Sequence, residues 1–286
     1  MSPSSIIGES LKRAGKFAAE LGEAAAEAIF PARCLACGEL IAPAGPAADK
    51  IEPDPDGSGN RLRRILKPFT CRRCRIGIQA VGSPICEYCG QVFAARAGDD
   101  HICESCIRAP NHFQTARSAL LYTGQCASLV HALKYNGKMQ LARPFGMILR
   151  RSFETFWPGA DFDLIVPVPL HPRRLKARGF NQVGLMMRQW ARSLDNEMPS
   201  PAPGVFNRDV MERVLPTRPQ TGLGRKDRPL NLRNAFGLKS GAEISGMKLL
   251  LLDDVYTTGA TANEAARVLM KHGAARVDVL TLARAV

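Results

Sequence analysis

Two sets of residues in this chain have types and spacings that could do chemistry. Cys34/Cys37, Cys71/Cys74, Cys86/Cys89 and Cys103/Cys106 form four CxxC pairs, leaving only Cys126 over from nine cysteines. A CxxC turn aims two thiolates at one point, and two such turns complete a tetrahedral zinc site. The second set is the run LLLLDDVYTTGAT at 249–261. It reads as a buried strand, two acids, and a small-residue loop entering a helix, where free N–H groups and threonine hydroxyls can wrap a phosphate. Asp253 and Asp254 stand one step back, spaced to accept hydrogen bonds from the vicinal hydroxyls of a sugar. A phosphate and a ribose diol in one place describe a 5-phosphoribosyl group. The competing reading, a strand ending in a capped helix, accounts for one Asp or one Thr but not for the whole run.

For the cysteines, disulfides require an oxidising compartment, and the N-terminus does not read as a secretory signal because Glu9, Lys12, Arg13, Lys16, Glu20 and Glu23 interrupt its apolar positions. Iron–sulfur ligands follow other spacings, and a redox CxxC does not come in fours. Two structural zinc ions are expected, each closed by four thiolates and so without an open position for catalysis. Sequential pairing (34/37 with 71/74, 86/89 with 103/106) and interleaved pairing both satisfy the spacing. Gly38 and Gly90, each directly after a pair, supply the positive-φ residue that a knuckle needs. Arg72, Arg73 and Arg75 either offset thiolate charge or touch nucleic acid. Cys126 reads as a small buried apolar residue.

The elements that must position these groups follow from composition and pattern. The chain has 286 residues, 45% of them hydrophobic, which suits two soluble domains. No stretch approaches the ~18 consecutive apolar residues of a membrane span. Of the net charge of +13, little sits in front: residues 1–110 carry 14 basic and 13 acidic side chains, and residues 111–286 carry 25 and 13. Charge and cysteines together place a boundary near 110–112. Residues 1–30 read as an amphipathic helix docked on the protein, with a membrane-surface contact as the second reading. Residues 31–112 read as the cysteine-rich module, interrupted by a flexible proline- and glycine-rich insertion at 42–60. From 113 to 286, strands at 118–122, 164–169, 249–252 and 277–282 alternate with helices at 125–136, 139–156, 180–194 and 261–272, the last stopped by Gly273. That alternation predicts a doubly wound parallel α/β domain, whose ligands bind at the carboxyl ends of the strands.

LLLLDDVYTTGAT resembles the signature by which type I phosphoribosyltransferases bind 5-phosphoribosyl 1-diphosphate (PRPP). HALKYNGK at 131–138, VPVPLHPRRLKARGFNQ at 166–182, PQTGLGRKDRPLNLRNAF at 219–236, DVLTLARAV at the end and the cysteine knuckles in front extend the likeness over about 250 residues. As a set they resemble the ComF (competence protein F) family, a double zinc ribbon fused to a phosphoribosyltransferase domain. The resemblance implies that Asp253 and Asp254 hold the ribose and that Thr257, Thr258, Gly259, Ala260 and Thr261 cradle the 5-phosphate. It places diphosphate at the turn after 166–169, beside Arg173, Arg174, Lys176 and Arg178, where four cations without an acid suit a polyanion; a solvated basic turn is the second reading. It makes 216–234 a hood whose Arg225, Arg228 and Arg233 close on diphosphate or a polynucleotide, through the forked hydrogen bonding of arginine. His171 has diphosphate contact and a structural role as its two readings; for Asn181 and Gln182 helix capping competes with ligand contact.

The likeness implies a cytoplasmic protein that binds PRPP with Mg²⁺ and single-stranded DNA, working with DNA-import machinery during natural transformation. The alternative is an active phosphoribosyltransferase, amidophosphoribosyltransferase-like, on an unidentified acceptor, with displacement at ribose C1 and little covalent participation by protein. No residue identifies a catalytic base or an acceptor pocket. A purely structural zinc adaptor leaves the 253–261 run unexplained. With aromatics at 6% of the chain, DNA contact is expected to run through phosphates more than through stacking, and to weaken with salt.

Overall fold

A computed structural model describes residues 32–41, 58–94, 98–194, 205–215 and 234–286. The helix expected at 1–30, most of the insertion at 42–60 and the cations Arg225, Arg228 and Arg233 lie outside the described residues. Among its described residues the front carries three short α-helices, α1 (Ser58–Ile65), α2 (Arg72–Ile76) and α3 (Glu104–Arg108). Helix thus begins at Ser58, inside the segment read as a flexible insertion.

The back half alternates as its pattern requires: β1 (Ala116–Leu121), α4 (Gly124–Tyr135), α5 (Ala142–Phe156), β2 (Leu164–Pro167), α6 (Pro172–Arg178), α7 (Gln182–Leu194), β3 (Val205–Phe206), β4 (Met211–Arg213), β5 (Phe236–Leu238), β6 (Lys248–Tyr256), α8 (Ala260–Lys271) and β7 (Arg276–Arg284). The four expected strands are β1, β2, β6 and β7, although β6 and β7 each run to nine residues. The short elements β3, β4, β5 and α6 carry too few residues for periodicity to register. Gly273, at φ 89°, follows the C-cap His272 of α8 as the stop signal requires.

Five strands form one parallel sheet in the order β1-β7-β6-β2-β3, and β4 and β5 make a separate antiparallel pair. Leu249, Leu250, Leu251 and Leu252 on β6 are all fully buried, each worth roughly 1.5–3 kcal/mol. They face alternate sides, as strand geometry demands. Leu250 and Leu252 enter a core with Leu129 of α4, Ile148 of α5 and Trp190 of α7. Leu249 and Leu251 enter another with Ala265 and Leu269 of α8. Front residues join both: Leu62, Leu66 and Ile78 the first, Cys86, Cys89 and Cys103 the second.

The front also closes the sheet. β1 lies at its edge, and its outer side pairs with the cysteine-rich segment: Val81 N–H donates to Ala119 O (3.0 Å), Leu121 N–H to Gln79 O (2.9 Å), and Ala116 N–H to Tyr88 O (2.7 Å). An edge that would otherwise invite another chain is thereby covered.

Candidate functional site

The strand order dictates where a crevice opens. From β2 the chain passes to β3 on one side; from β6 it passes to β7 on the other. The loops leaving these two neighbours diverge, which makes their carboxyl ends the switch point of the sheet. A cavity of 1170 Å³ lies there.

Asp253, Asp254, Thr257 and Thr261 line it from β6 and the following turn, and Arg174 and Arg178 from α6. Arg173 and Lys176 of the same helix are exposed and absent from its lining. Arg174 and Arg178 are four residues apart and share a helix face, which Arg173 and Lys176 do not. Thr258, Gly259 and Ala260 complete the turn into α8, with Gly259 in the left-handed region at φ 77° and Ala260 N–H 3.4 Å from Thr258 Oγ1.

The two carboxylates are not equivalent. Asp254 accepts from Lys134 Nζ at 2.7 Å and from the Gln182 side-chain amide. Asp253 accepts from the backbone N–H of Asp254 at 2.8 Å. Burial, then the neighbouring Asp254 charge, push the Asp253 carboxyl up to about 7. For Lys134 burial alone would favour the neutral amine, but the Asp254 carboxylate outweighs it and holds the ammonium above its ordinary range. The chain of contacts continues from Gln182 Oε1 to Arg178 Nη1 (2.5 Å), and the Arg178 guanidinium lies 5.1 Å from the Tyr135 ring centroid.

Gln182 therefore faces the site, whereas its neighbour Asn181 caps α7, its Oδ1 accepting from Val183 N–H at 2.9 Å. His171 caps α6 through Arg173 N–H (3.2 Å) and does not line the cavity. Lys134 carries a sequence signal through the 131–138 motif. Arg213 carries none: it ends β4, lies over Phe236 at 5.3 Å, and is lowered to about 10 by burial and then by Arg174. Tyr122, His131 and Tyr135 also line the cavity as a ladder, with centroids 6.5 Å and 5.3 Å apart. Two of the chain's four tyrosines thus stand at the cavity.

The cysteines meet as Cys34, Cys37, Cys71 and Cys74, and as Cys86, Cys89, Cys103 and Cys106, with all sulfurs of a group within 4.8 Å of one another. This is the sequential pairing; the interleaved one is overturned. Ligands about 2.3 Å from a tetrahedral zinc stand about 3.8 Å apart. Cys37 and Cys71 are 3.8 Å apart and Cys89 and Cys103 are 3.7 Å apart. None is in a disulfide. Both groups fit zinc, and Gly38 (φ 80°) and Gly90 (φ 71°) turn the knuckles as expected.

No family model matches the chain. The DNA utilization protein YhgH of Salmonella typhi is 32% identical over 238 residues, covering 77% of this chain and 99% of that protein. Competence protein F of Haemophilus influenzae is 32% identical over 229 residues, covering 77% and 93%. The chain belongs to the competence protein F family. Competence protein ComFC of Bacillus subtilis is 29% identical over 229 residues, covering 77% and 87%. Among solved structures, a hypoxanthine phosphoribosyltransferase from Staphylococcus aureus aligns with 51% of this chain and 62% of its own, at 12% identity and a TM-score of 0.30. An adenine phosphoribosyltransferase from Thermoanaerobacter pseudethanolicus aligns with 55% and 85%, at 14% identity and 0.31. Superpositions that loose carry no weight, and the fold assignment rests on the parallel sheet and its strand order. Among the described residues no helix is long and apolar enough to cross a membrane.

Proposed function

We propose that this protein binds PRPP with magnesium at the carboxyl ends of β2 and β6, and handles single-stranded DNA entering the cell. One observation carries this reading: a carboxylate pair, a threonine-rich turn into a helix and the cations Arg174, Arg178 and Arg213 line a single cavity. Asp253 and Asp254 take the ribose hydroxyls, with Asp254 held in place by Lys134 and Gln182. Thr257, Thr258, Gly259, Ala260 and Thr261 receive the 5-phosphate. Arg174 and Arg178 receive the diphosphate, whereas exposed Arg173 and Lys176 suit a longer polyanion, as do Arg225, Arg228 and Arg233. Magnesium comes with the substrate's phosphate oxygens and offsets their charge. The ladder of Tyr122, His131 and Tyr135 offers ring faces on which a base can stack, which adds stacking to the phosphate contacts expected from composition. The names of the relatives, DNA utilization and competence proteins, support the DNA role.

In this reading the two cysteine groups hold structural zinc within residues 31–112, residues 113–286 form the phosphoribosyltransferase-like unit, and the protein works in the cytoplasm beside the import machinery. The second reading, an active phosphoribosyltransferase, is favoured by the cavity volume. At 1170 Å³ it exceeds the roughly 300–1,000 Å³ of ordinary small-molecule pockets, leaving room for an acceptor.

Calorimetric titration with PRPP and Mg²⁺ tests both. Asp253→Ala/Asp254→Ala should weaken binding by more than about 100-fold, the low end for two charge-assisted hydrogen bonds; unchanged affinity removes the sugar assignment. Diphosphate release on adding a small amine or base selects the enzyme. Binding without turnover, displaced by a single-stranded oligonucleotide, selects the DNA factor.

A further inference from the structure

The turn at 257–261 rests on a support that its own sequence does not reveal. Tyr256, the last residue of β6, is buried, with its ring edge-on to Phe113 at 6.4 Å and 81°. Its hydroxyl fills the space that a Cβ on Gly259 would need, so Gly259 is required by close approach as well as by its positive φ. Behind the ring lies Arg284, which pairs with Tyr256 across β6 and β7 and sets its guanidinium 4.4 Å from the ring centroid. Arg284 is itself buried at 5% exposure. Its Nη1 donates to Cys89 O at 2.7 Å, and its Nη2 stands 3.8 Å from Cys89 Sγ. A ligand of the second cysteine group is thus joined to the candidate phosphate turn through one guanidinium and one ring.

Electrostatics gives this contact a direction of control. Four thiolates around a dication leave two negative charges in excess, and a buried guanidinium needs such a counter-charge. Metal loss releases Cys89 from its fixed place, and with it the backbone carbonyl that anchors the guanidinium. The face of the tyrosine ring alone is a weaker partner. The guanidinium then no longer has its reason to stay beneath Tyr256, and the turn loses its backing. The first group has other partners: Arg33 donates to Gly38 O at 3.2 Å, and Cys37 Sγ stands 3.6 Å from Glu39.

We infer that Arg284 and Tyr256 are positioning residues through which metal in the second cysteine group, and not in the first, holds the 257–261 turn in its phosphate-receiving shape. The affinity consequence rests on the phosphate reading given above; the consequence for the shape of the turn does not.

The test uses the full zinc-loaded chain with Arg284→Gln. Metal per chain is read by mass spectrometry, amide exchange by hydrogen–deuterium exchange, and PRPP–Mg²⁺ affinity by calorimetry. The expected result is two metals retained, faster exchange across 255–262, unchanged exchange across 71–78 beside the first group, and affinity about tenfold weaker, the lower end of what partners of metal ligands usually cost. A folded variant whose 255–262 exchange matches the wild type overturns the proposal. If Arg284→Gln does not fold, Arg284→Lys decides: it keeps the charge, but without the planar fork it cannot bond Cys89 O and lie against the Tyr256 ring at once, so the same local change is expected, and its absence is equally fatal. Wild-type protein that ignores PRPP sinks the phosphate reading, while the exchange result still judges the clamp.

Discussion

The two cysteine groups have the same ligands, the same CxxC pairs and nearly the same sulfur separations, yet they occupy different mechanical positions. In the first, Cys37 is exposed and Cys71 half-buried, and a Cβ on Gly38 would meet nothing within 4 Å. In the second, Cys86, Cys89 and Cys103 are buried within the core that holds Leu249 and Leu251, and a Cβ on Gly90 would lie 2.7 Å from Ala116 O. The first group is half outside: Cys34 and Cys74 are buried, and the segment packs on the body through Leu35 and Ala36. The second is built into the body. Ligand chemistry alone therefore does not say what a metal site is for; what lies behind the sulfurs decides it.

The largest expected effect tests that difference directly. Cys89→Ser should cost about 3–5 kcal/mol, because it opens the metal site and leaves Arg284 buried without its counter-charge. Cys37→Ser, at an exposed ligand, should cost about 1 kcal/mol. Urea unfolding with zinc counted per chain measures both, and equal losses would erase the distinction.

The glycines sharpen it with the metal left in place. Gly38→Ala should cost about 1–2 kcal/mol for its positive φ alone. Gly90→Ala should cost about 1–3 kcal/mol more, because a backbone carbonyl has nowhere to go. Matching melting curves for the two variants would show that the second knuckle is not wedged against β1.

The smallest effect separates the metal's influence from that of the carboxylates. With its carboxyl raised to about 7, Asp253 is protonated at pH 6 and ionised at pH 8. Because folding raises this pKa, the stability it contributes is full below about pH 4, the value of a free Asp, and lost as pH rises through 7. Ligand affinity runs the other way, since the ionised form accepts hydroxyl hydrogens. PRPP binding should strengthen up to about tenfold from pH 6 to 8, in the wild type and in Cys37→Ser alike. Calorimetry on Asp253→Asn should find that slope flattened; a persisting slope would assign it to the ligand's own phosphates.

Much of this molecule was legible in its sequence, and for identifiable reasons. The leucines at 249–252 announce a strand buried on both faces because a short continuous apolar run followed by a polar turn is the signature of a parallel strand. The CxxC pairs announce metal because thiolates so spaced converge locally. Asp253, Asp254 and the 257–261 turn could be read together because they are neighbours in the chain. Residues that act from a distance could not. Gln182 had capping and ligand contact as competing readings, and nothing in the sequence singled out Arg213 or Arg284. Among the four cations after β2, sequence offered no means to separate Arg174 and Arg178, which face the cavity, from Arg173 and Lys176.

The sequence by itself determined the local chemistry: which atoms could hold a metal, and which turn could hold a phosphate. Its regular pattern also determined the α/β alternation, because burial periodicity is a property of consecutive residues. Only the tertiary structure decided which cysteine pairs meet, which of two adjacent aspartates is anchored, and which metal group stands behind the turn. Those outcomes depend on contacts between residues far apart in the chain, such as Cys89 with Arg284 and Lys134 with Asp254. Strand order, set by the packing of the whole sheet, brings them together, and no spacing along the chain encodes it.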